Sequence, residues 1–363
     1  MNNNTIEFNN PVTINEAYKL LRANGDKITY LFRGEPGIGK STLHSRAKQE
    51  LGDAEWDHIY LDWSSIDMGD LFIRAPNRDT GELEFFPSSL LNPKSGKKKF
   101  IMIDEIGKGD KLLLKLAMRL VLEHQWGDYK LPEGSVVFGT TNNPSDNVGD
   151  FLHAHGTNRV TLVNIEKPTE KVWLPWASDN GISPIIRAWV AMNPRCLASY
   201  LDGGQDENPY IFNPRKRGSV GSFVSPRSLA KAHHVVSSRD DVGDKLTQAA
   251  LAGTIGAAAA ESMAAFMSLA KELVSIKQVL ADPDNVVLPE KPAALFMMMF
   301  NAIDTIETQD DLSKFMRFVN RIGSSEIQAV FFTMLLQSSR TVRIAKNNQQ
   351  VMEWAKGNFE LLI

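Results

Sequence analysis

The chain has 363 residues, 43% of them hydrophobic and 23% charged, and 40 Lys plus Arg stand against 43 Asp plus Glu for a formal net charge of −3. That length suits two or three domains with a sizeable core, and the near-balance of charge gives no global electrostatic reason to bind nucleic acid or an anionic membrane, although a local basic face stays open. The single cysteine, Cys196, excludes an internal disulfide and a multi-cysteine zinc site, and it fits a reducing, cytoplasmic setting.

The opening Met-Asn-Asn-Asn-Thr has no charged-then-apolar leader pattern. From there to about residue 165, strand and helix signals alternate. Strand-like runs are Ile28–Phe32, His58–Leu61, Phe100–Ile103, Val136–Thr140 and Arg159–Ile165, with helices expected at Ile14–Ala23, Ser41–Leu51 and Lys111–His124. In the last, Leu113, Leu116, Ala117, Leu120 and Val121 mark one apolar stripe at helical spacing. Such alternation means a parallel sheet with helices on both faces, and ligands then sit at the carboxyl ends of the strands. Two stretches interrupt this core. Ile73 to Phe86 contains Asp79-Thr80-Gly81 and reads as a hairpin, and Gly127 to Gly134 reads as a turn before a strand. Both fit either plain surface loops or inserts placed near a ring pore. After Pro168 strand signals stop. Helices are expected through residue 264, broken by a polar loop from Asp202 to Ser222, and again from 265 to the end, entered through Ala281-Asp282-Pro283-Asp284-Asn285. The Ala-rich stretch Ala249–Phe266 is broken by Thr254, Glu261 and Ser262, so it reads as a packed helix rather than a membrane span. Gly253, Gly256 and Ala257–Ala260 read as helix packing there.

Three signals carry chemistry. Gly34-Glu35-Pro36-Gly37-Ile38-Gly39-Lys40-Ser41-Thr42 fits G-x-x-x-x-G-K-[ST], between a strand and a helix. The glycines let the backbone turn so that successive N–H groups point at anionic oxygens. Lys40 can reach the β- and γ-phosphates, the Ser41 hydroxyl can ligate Mg²⁺, and the helix N-terminus adds its positive dipole. Second, Phe100-Ile101-Met102-Ile103 ends in Asp104-Glu105. Asp104 stands where such a fold holds Mg²⁺, and Glu105 can polarise an attacking water as a general base. The adjacent pair points to hydrolysis. Third, Val136–Thr141 runs into Asn142-Asn143-Pro144. An amide at this strand end can reach the γ-phosphate or the lytic water, although a simple turn would also use these residues.

This order of motifs resembles the AAA+ ATPases, and in detail their MoxR-like, dynein-related branch. The matching stretches include Phe100–Ile106, Leu131-Pro132-Glu133-Gly134, Asn158-Arg159-Val160, Trp173 through Trp176-Ala177, Asn180-Gly181-Ile182 and Ser225-Pro226-Arg227-Ser228. The resemblance covers roughly residues 10 to 270, and the rest matches only in helical character. It implies a P-loop α/β core with a five-stranded parallel sheet over 1–168, an all-α lid over 169–264 and an α-helical C-terminal extension over 265–363. It implies that Arg159 is an arginine finger reaching a neighbouring subunit's nucleotide, although Arg159-Val160 stands where the family more often has Arg-Phe. It further implies that Arg227 is the lid arginine on the phosphates, and that Asn143, with Asn142 a close rival, is the sensor beside the γ-phosphate. The cofactors are then ATP and Mg²⁺. The expected partners are further copies in a ring, six by family habit, a protein substrate, and a protein with a von Willebrand A domain.

Other residues attract less chemistry. His153 and His155 stand two apart with no further ligand beside them to complete a zinc site. Lys97-Lys98-Lys99 reads as a solvated entry to a buried strand, and Arg215-Lys216-Arg217 as a loop that could touch phosphate backbone. Trp173 and Trp176 read as a packing ridge. No Asn-Lys-x-Asp motif for reading guanine is present. The expectation is an ATP-hydrolysing motor that remodels a protein, with a nucleic-acid-remodelling motor as the alternative.

Overall fold

The runs Lys98–Asp104 and Val136–Thr141 are buried over almost their whole length, the pattern of strands covered on both faces. They lie side by side within a five-stranded sheet. The computed structural model describes residues 10–108, 111–143, 160–216, 221–271, 273–358 and 360, and the chain divides into two units, Met1–Lys167 and Pro168–Ile363.

The first unit contains strands β1 (Tyr30–Arg33), β2 (Trp56–Asp62), β3 (Phe72–Pro76), β4 (Leu83–Pro87), β5 (Lys98–Asp104), β6 (Gln125–Trp126), β7 (Tyr129–Lys130), β8 (Val136–Thr141) and β9 (Thr161–Asn164). Its helices include α1 (Ile14–Asn24), α2 (Thr42–Leu51), the single turn α3 (Met68–Leu71) and α4 (Lys111–Glu123). The main sheet has the order β2-β5-β8-β1-β9 and is parallel throughout. Period-two alternation sends the strand side chains into two separate cores. Leu31, Ile59, Leu61, Ile101, Ile103 and Val137 meet Ala117, Leu120 and Val121 of α4 on one face. Tyr30, Phe32, Phe100, Met102 and Phe138 meet Ala17 and Leu21 of α1 and Leu43 and Ala47 of α2 on the other. The expected doubly covered sheet is therefore the observed one.

Boundaries move by a residue or two. β1 begins at Tyr30 because Ile28, though apolar, is exposed. α2 begins at Thr42, with Ser41 as its N-cap, and α4 stops at Glu123, where His124 turns to a left-handed φ of 48°. The strand expected from Arg159 begins at Thr161, and Arg159 itself lies outside the described residues. The Asp79-Thr80-Gly81 hairpin is the β3–β4 pair, closed by Asn77 N–H donating to Glu82 O at 2.8 Å. The second interruption holds a small hairpin, β6–β7, before its turn. Gly127 at its tip has φ 57°, and a Cβ there would lie 2.2 Å from the Phe85 ring, so only glycine lets the two hairpins meet.

The second unit is helical among its described residues. One buried cluster runs through it from Trp173 to Val351, and the helix Pro184–Met192 packs on the helix Pro292–Thr305. Between those helices lies Arg187, fully buried, which donates to Asp304 and to Ser178 Oγ at 3.0 Å and stacks over Phe300. Burial first, and then the charge of Arg340, lower the Arg187 pKa against the opposing pull of Asp304. Gly256 separates the helices Asp244–Ile255 and Ala257–Ala270 with φ 88°, and a Cβ there would lie 2.6 Å from Ser222 O. No described helix is long and apolar enough to cross a membrane.

Candidate functional site

The strand order places the ends of β1, β8, β5 and β2 in a row. Register fixes their levels: Arg33 pairs with Thr141, Ile103 with Gly139, and Asp62 with Asp104. The Gly34–Thr42 loop leaves β1, Asp104-Glu105 ends β5, and Asn142-Asn143 leaves β8.

The loop has the backbone its glycines predict. Gly37 and Gly39 have φ 77° and 106°, in the region that favours glycine. Gly34 is required for space: a Cβ there would lie 2.6 Å from Ile38 Cδ1 and 2.8 Å from Ile165 O. Lys40 is buried, and its Nζ donates to Gly34 O at 2.7 Å, Glu35 O at 2.9 Å and Asn142 Oδ1 at 3.0 Å. The Lys40 ammonium is thus held at the centre of the loop, beside the N-terminus of α2, whose Thr42, Leu43 and His44 N–H groups turn back to Gly39 O, Lys40 O and Ser41 O. Glu35 is buried too, 4.0 Å from the Lys167 ammonium. Ser41 spends no hydrogen bond on capping α2.

Asp104 is buried at the end of β5, 9% exposed, and both of its oxygens accept hydrogen bonds. The Thr140 hydroxyl on β8 donates to Oδ1, the Tyr60 hydroxyl on β2 donates to Oδ2 at 2.5 Å, and the Glu105 N–H reaches Oδ1 at 3.2 Å. Glu105 has φ 52°, a left-handed value that costs a non-glycine residue about 1–3 kcal/mol and recurs at functional sites. Its carboxylate pairs with Lys108, one turn on, and both side chains are partly exposed. Two hydrogen-bonded segments therefore lie along the ends of four strands: Lys40 to Asn142, and Thr140 to Asp104 to Tyr60.

These residues fit a magnesium-bound nucleotide. The loop turns through left-handed backbone at Gly37 and Gly39 and has the buried Lys40 at its centre. A buried carboxylate stands at the end of β5, one strand beyond β8, and the Ser41 hydroxyl is not used as a cap. The structure brings together Lys40, Asn142, Asp104 and Glu105 of the residues expected from sequence, with Asn143 following Asn142 at the rim. Arg159, His153, His155 and Arg217 lie outside the described residues. Arg227 is exposed in the first turn of the helix Pro226–Ser237 in the second unit, whose N-terminus is closed by Ser225 and Ser228.

One expectation is corrected. Lys99 is not solvated: it is fully buried, with Nζ donating to Asp57 at 2.5 Å, Asn92 O at 2.8 Å and Ser95 Oγ at 2.6 Å. Lys97 donates to Asp53 O, Lys98 lies over the Trp56 ring, Arg215 over Tyr200, and Lys216 pairs with Glu207. Beneath the loop helix, His44 meets His58, Tyr60 and Phe100 edge-on or tilted. Burial, and then the nearby His58 and Lys48, push the His44 pKa down to about 4. A polar cavity of 520 Å³ lined by Asp26, Thr29, Glu123 and His124 opens at the opposite, amino ends of β1 and β9 and takes no part in this arrangement.

No protein-family model and no curated protein matches the chain. Among solved structures, it is similar to a mutant RuvB of Thermotoga maritima (TM-score 0.35, 14% identity, 69% of each chain covered). It is also similar to a putative ATPase of Cytophaga hutchinsonii (TM-score 0.34, 12% identity, 94% of this chain and 88% of that one). A third is Hsp104 in a closed state with ATPγS and casein (TM-score 0.34, 15% identity, 65% of this chain and 42% of that one). These overlaps are shallow, and what this chain can do is set by its own site.

Proposed function

We propose that this chain is a Mg²⁺-dependent ATP hydrolase, an AAA+ motor of the MoxR-like branch that assembles as a ring and remodels a protein. The two polar segments along the carboxyl ends of β1, β8 and β5 carry the proposal, since they set a phosphate loop, a metal-binding carboxylate and a water-activating carboxylate in one row. The loop N–H groups and Lys40 neutralise phosphate oxygens. Mg²⁺, when bound, would supply charge neutralisation at the phosphoryl oxygens, and Ser41 and Asp104 are the residues that would hold it. Glu105 takes the proton of the attacking water, a general-base role worth about 10²–10⁴ in rate, or roughly 3–5 kcal/mol.

Asn142 or Asn143 senses the γ-phosphate in this reading, Arg227 acts from the lid, and Arg159 acts on the nucleotide of the next subunit, where a guanidinium can contribute about 10³–10⁵. The resemblance to the family supports these three roles, the lid over 169–264 with its extension over 265–363, the hexameric ring, the cytoplasmic setting and a partner with a von Willebrand A domain. Burial of Lys99 and the internal engagement of Lys97, Lys98, Arg215 and Lys216 weaken the case for a nucleic-acid track. The test is ATP turnover per chain as a function of protein concentration, for wild type and Glu105→Gln. Turnover should rise with concentration and fall at least about 100-fold in the variant, which should still bind nucleotide. A variant that hydrolyses at the full rate would sink the assignment.

A further inference from the structure

Asp104 is held from both sides by hydroxyl groups of neighbouring strands, and the partners are unequal. An ionised carboxylate offers roughly four lone-pair positions, two on each oxygen. On Oδ1 both are engaged, by the Thr140 hydroxyl and the Glu105 N–H. On Oδ2 the described residues engage one, through the Tyr60 hydroxyl at 2.5 Å. The remaining position on Oδ2 is the place where a water of a hydrated cation can be accepted, and Tyr60 decides where that position points.

Tyr60 reaches Asp104 through strand register. β2 and β5 run parallel with Tyr60 opposite Met102 and Asp62 opposite Asp104, so Tyr60 sits one same-face step behind the carboxylate, a gap its long phenol spans. Tyr60 is 46% exposed, so its packing is not what keeps it there. Its ring lies against His44 of α2, the helix that opens with the phosphate loop, at 5.9 Å between centroids. The residue therefore touches the loop's helix on one side and the acidic strand end on the other.

We propose that Tyr60 is a positioning residue for the cation site: by holding Oδ2 of Asp104 it aims the carboxylate's last acceptor position at the water shell of Mg²⁺ and so sets the metal affinity of the nucleotide-bound state. The inference rests on the magnesium-nucleotide reading above. Groups that orient a metal-binding side chain change metal affinity by about 10- to 100-fold when removed. Tyr60→Phe deletes one hydroxyl from a half-exposed ring and leaves the aromatic contact with His44 in place.

The experiment titrates Mg²⁺ against wild type and Tyr60→Phe with a fluorescent, non-hydrolysable ATP analogue, and repeats the binding in EDTA. Direct Mn²⁺ binding by electron paramagnetic resonance and the melting temperature are read on the same samples. The expected result is a half-saturating Mg²⁺ concentration raised about tenfold or more, weaker Mn²⁺ binding, and unchanged analogue affinity in EDTA and unchanged melting. An Mg²⁺ dependence equal to wild type overturns this role and leaves the proposed function standing. Equal loss of affinity with and without metal overturns it too, since that marks a merely structural hydroxyl. A wild-type protein whose nucleotide binding ignores Mg²⁺ overturns both readings.

Discussion

Asn142→Ala should tighten ADP binding, against the usual expectation for a residue in a nucleotide site. The Lys40 ammonium has three N–H donors, and all three are engaged: by Gly34 O, Glu35 O and Asn142 Oδ1. A phosphate that takes a donor from Lys40 must displace one of these acceptors. The two carbonyls belong to the loop backbone and cannot leave without refolding it, whereas the Asn142 amide can rotate. A hydrogen bond to a charged group contributes about 1.5–3 kcal/mol, and this one is present in the free protein and lost in the complex. Its deletion therefore lowers the cost of binding. Water will take over part of the vacated place, so the lower end applies: about 1.5 kcal/mol, or roughly tenfold in Kd. ADP is the proper ligand because it has no γ-phosphate for Asn142 to contact, which separates competition for Lys40 from sensing. Fluorescence titration with labelled ADP measures the effect, and a fall in steady-state turnover of the same variant would assign the proposed sensor role to Asn142 rather than Asn143. Weakening of ADP binding by tenfold would refute the reasoning, because it would mean that Asn142 holds the diphosphate directly.

Two further outcomes concern partly buried titratable groups. Asp57→Asn leaves the Lys99 ammonium buried with neutral partners and should destabilise by about 3–5 kcal/mol, whereas an apolar pair at 57 and 99 should be close to neutral; chemical denaturation of both variants decides it. Burial raises the Asp57 pKa, but the hydrogen bonds from Lys99 and Ser95 and the Lys99 charge outweigh it and leave it lowered. Its stabilisation is thus complete above the unfolded carboxylate range near about 3.9 and is lost as pH falls through the lower folded value. His44 behaves differently: its folded pKa of about 4 lies below the ordinary 6.5, so the unfolded chain binds the extra proton between those values. Stability is then full above about 6.5 and declines toward pH 4, by at most about 3 kcal/mol, and His44→Phe should flatten that acid limb of a melting-temperature profile.

Local patterns made most of the frame legible. Phe100–Ile103 and Val136–Phe138 are apolar on both faces and became the inner strands, and Asp79-Thr80-Gly81 announced its hairpin through turn chemistry. What stayed hidden depends on which strands lie side by side, and a single sequence does not carry that. Lys99 sits in a run of three lysines that looks solvated. Its burial follows from Asp57, forty-two positions earlier, lying directly opposite it across β2 and β5. Tyr60 gave no signal because an exposed aromatic near the end of an edge strand is ordinary; its contact with Asp104 exists only in that same register. The same reasoning explains why Asn142 rises in interest once the sheet is known. Adjacent asparagines at a strand end are equivalent in sequence, but alternation along β8 and the β1–β8 pairing bring the amide of Asn142 to Lys40. One sheet register therefore aligns the lysine, the amide, the threonine and the carboxylate. A substitution that slips β8 by one residue would break both segments, at Asn142 and at Thr140, and nucleotide affinity and metal affinity should then fail together.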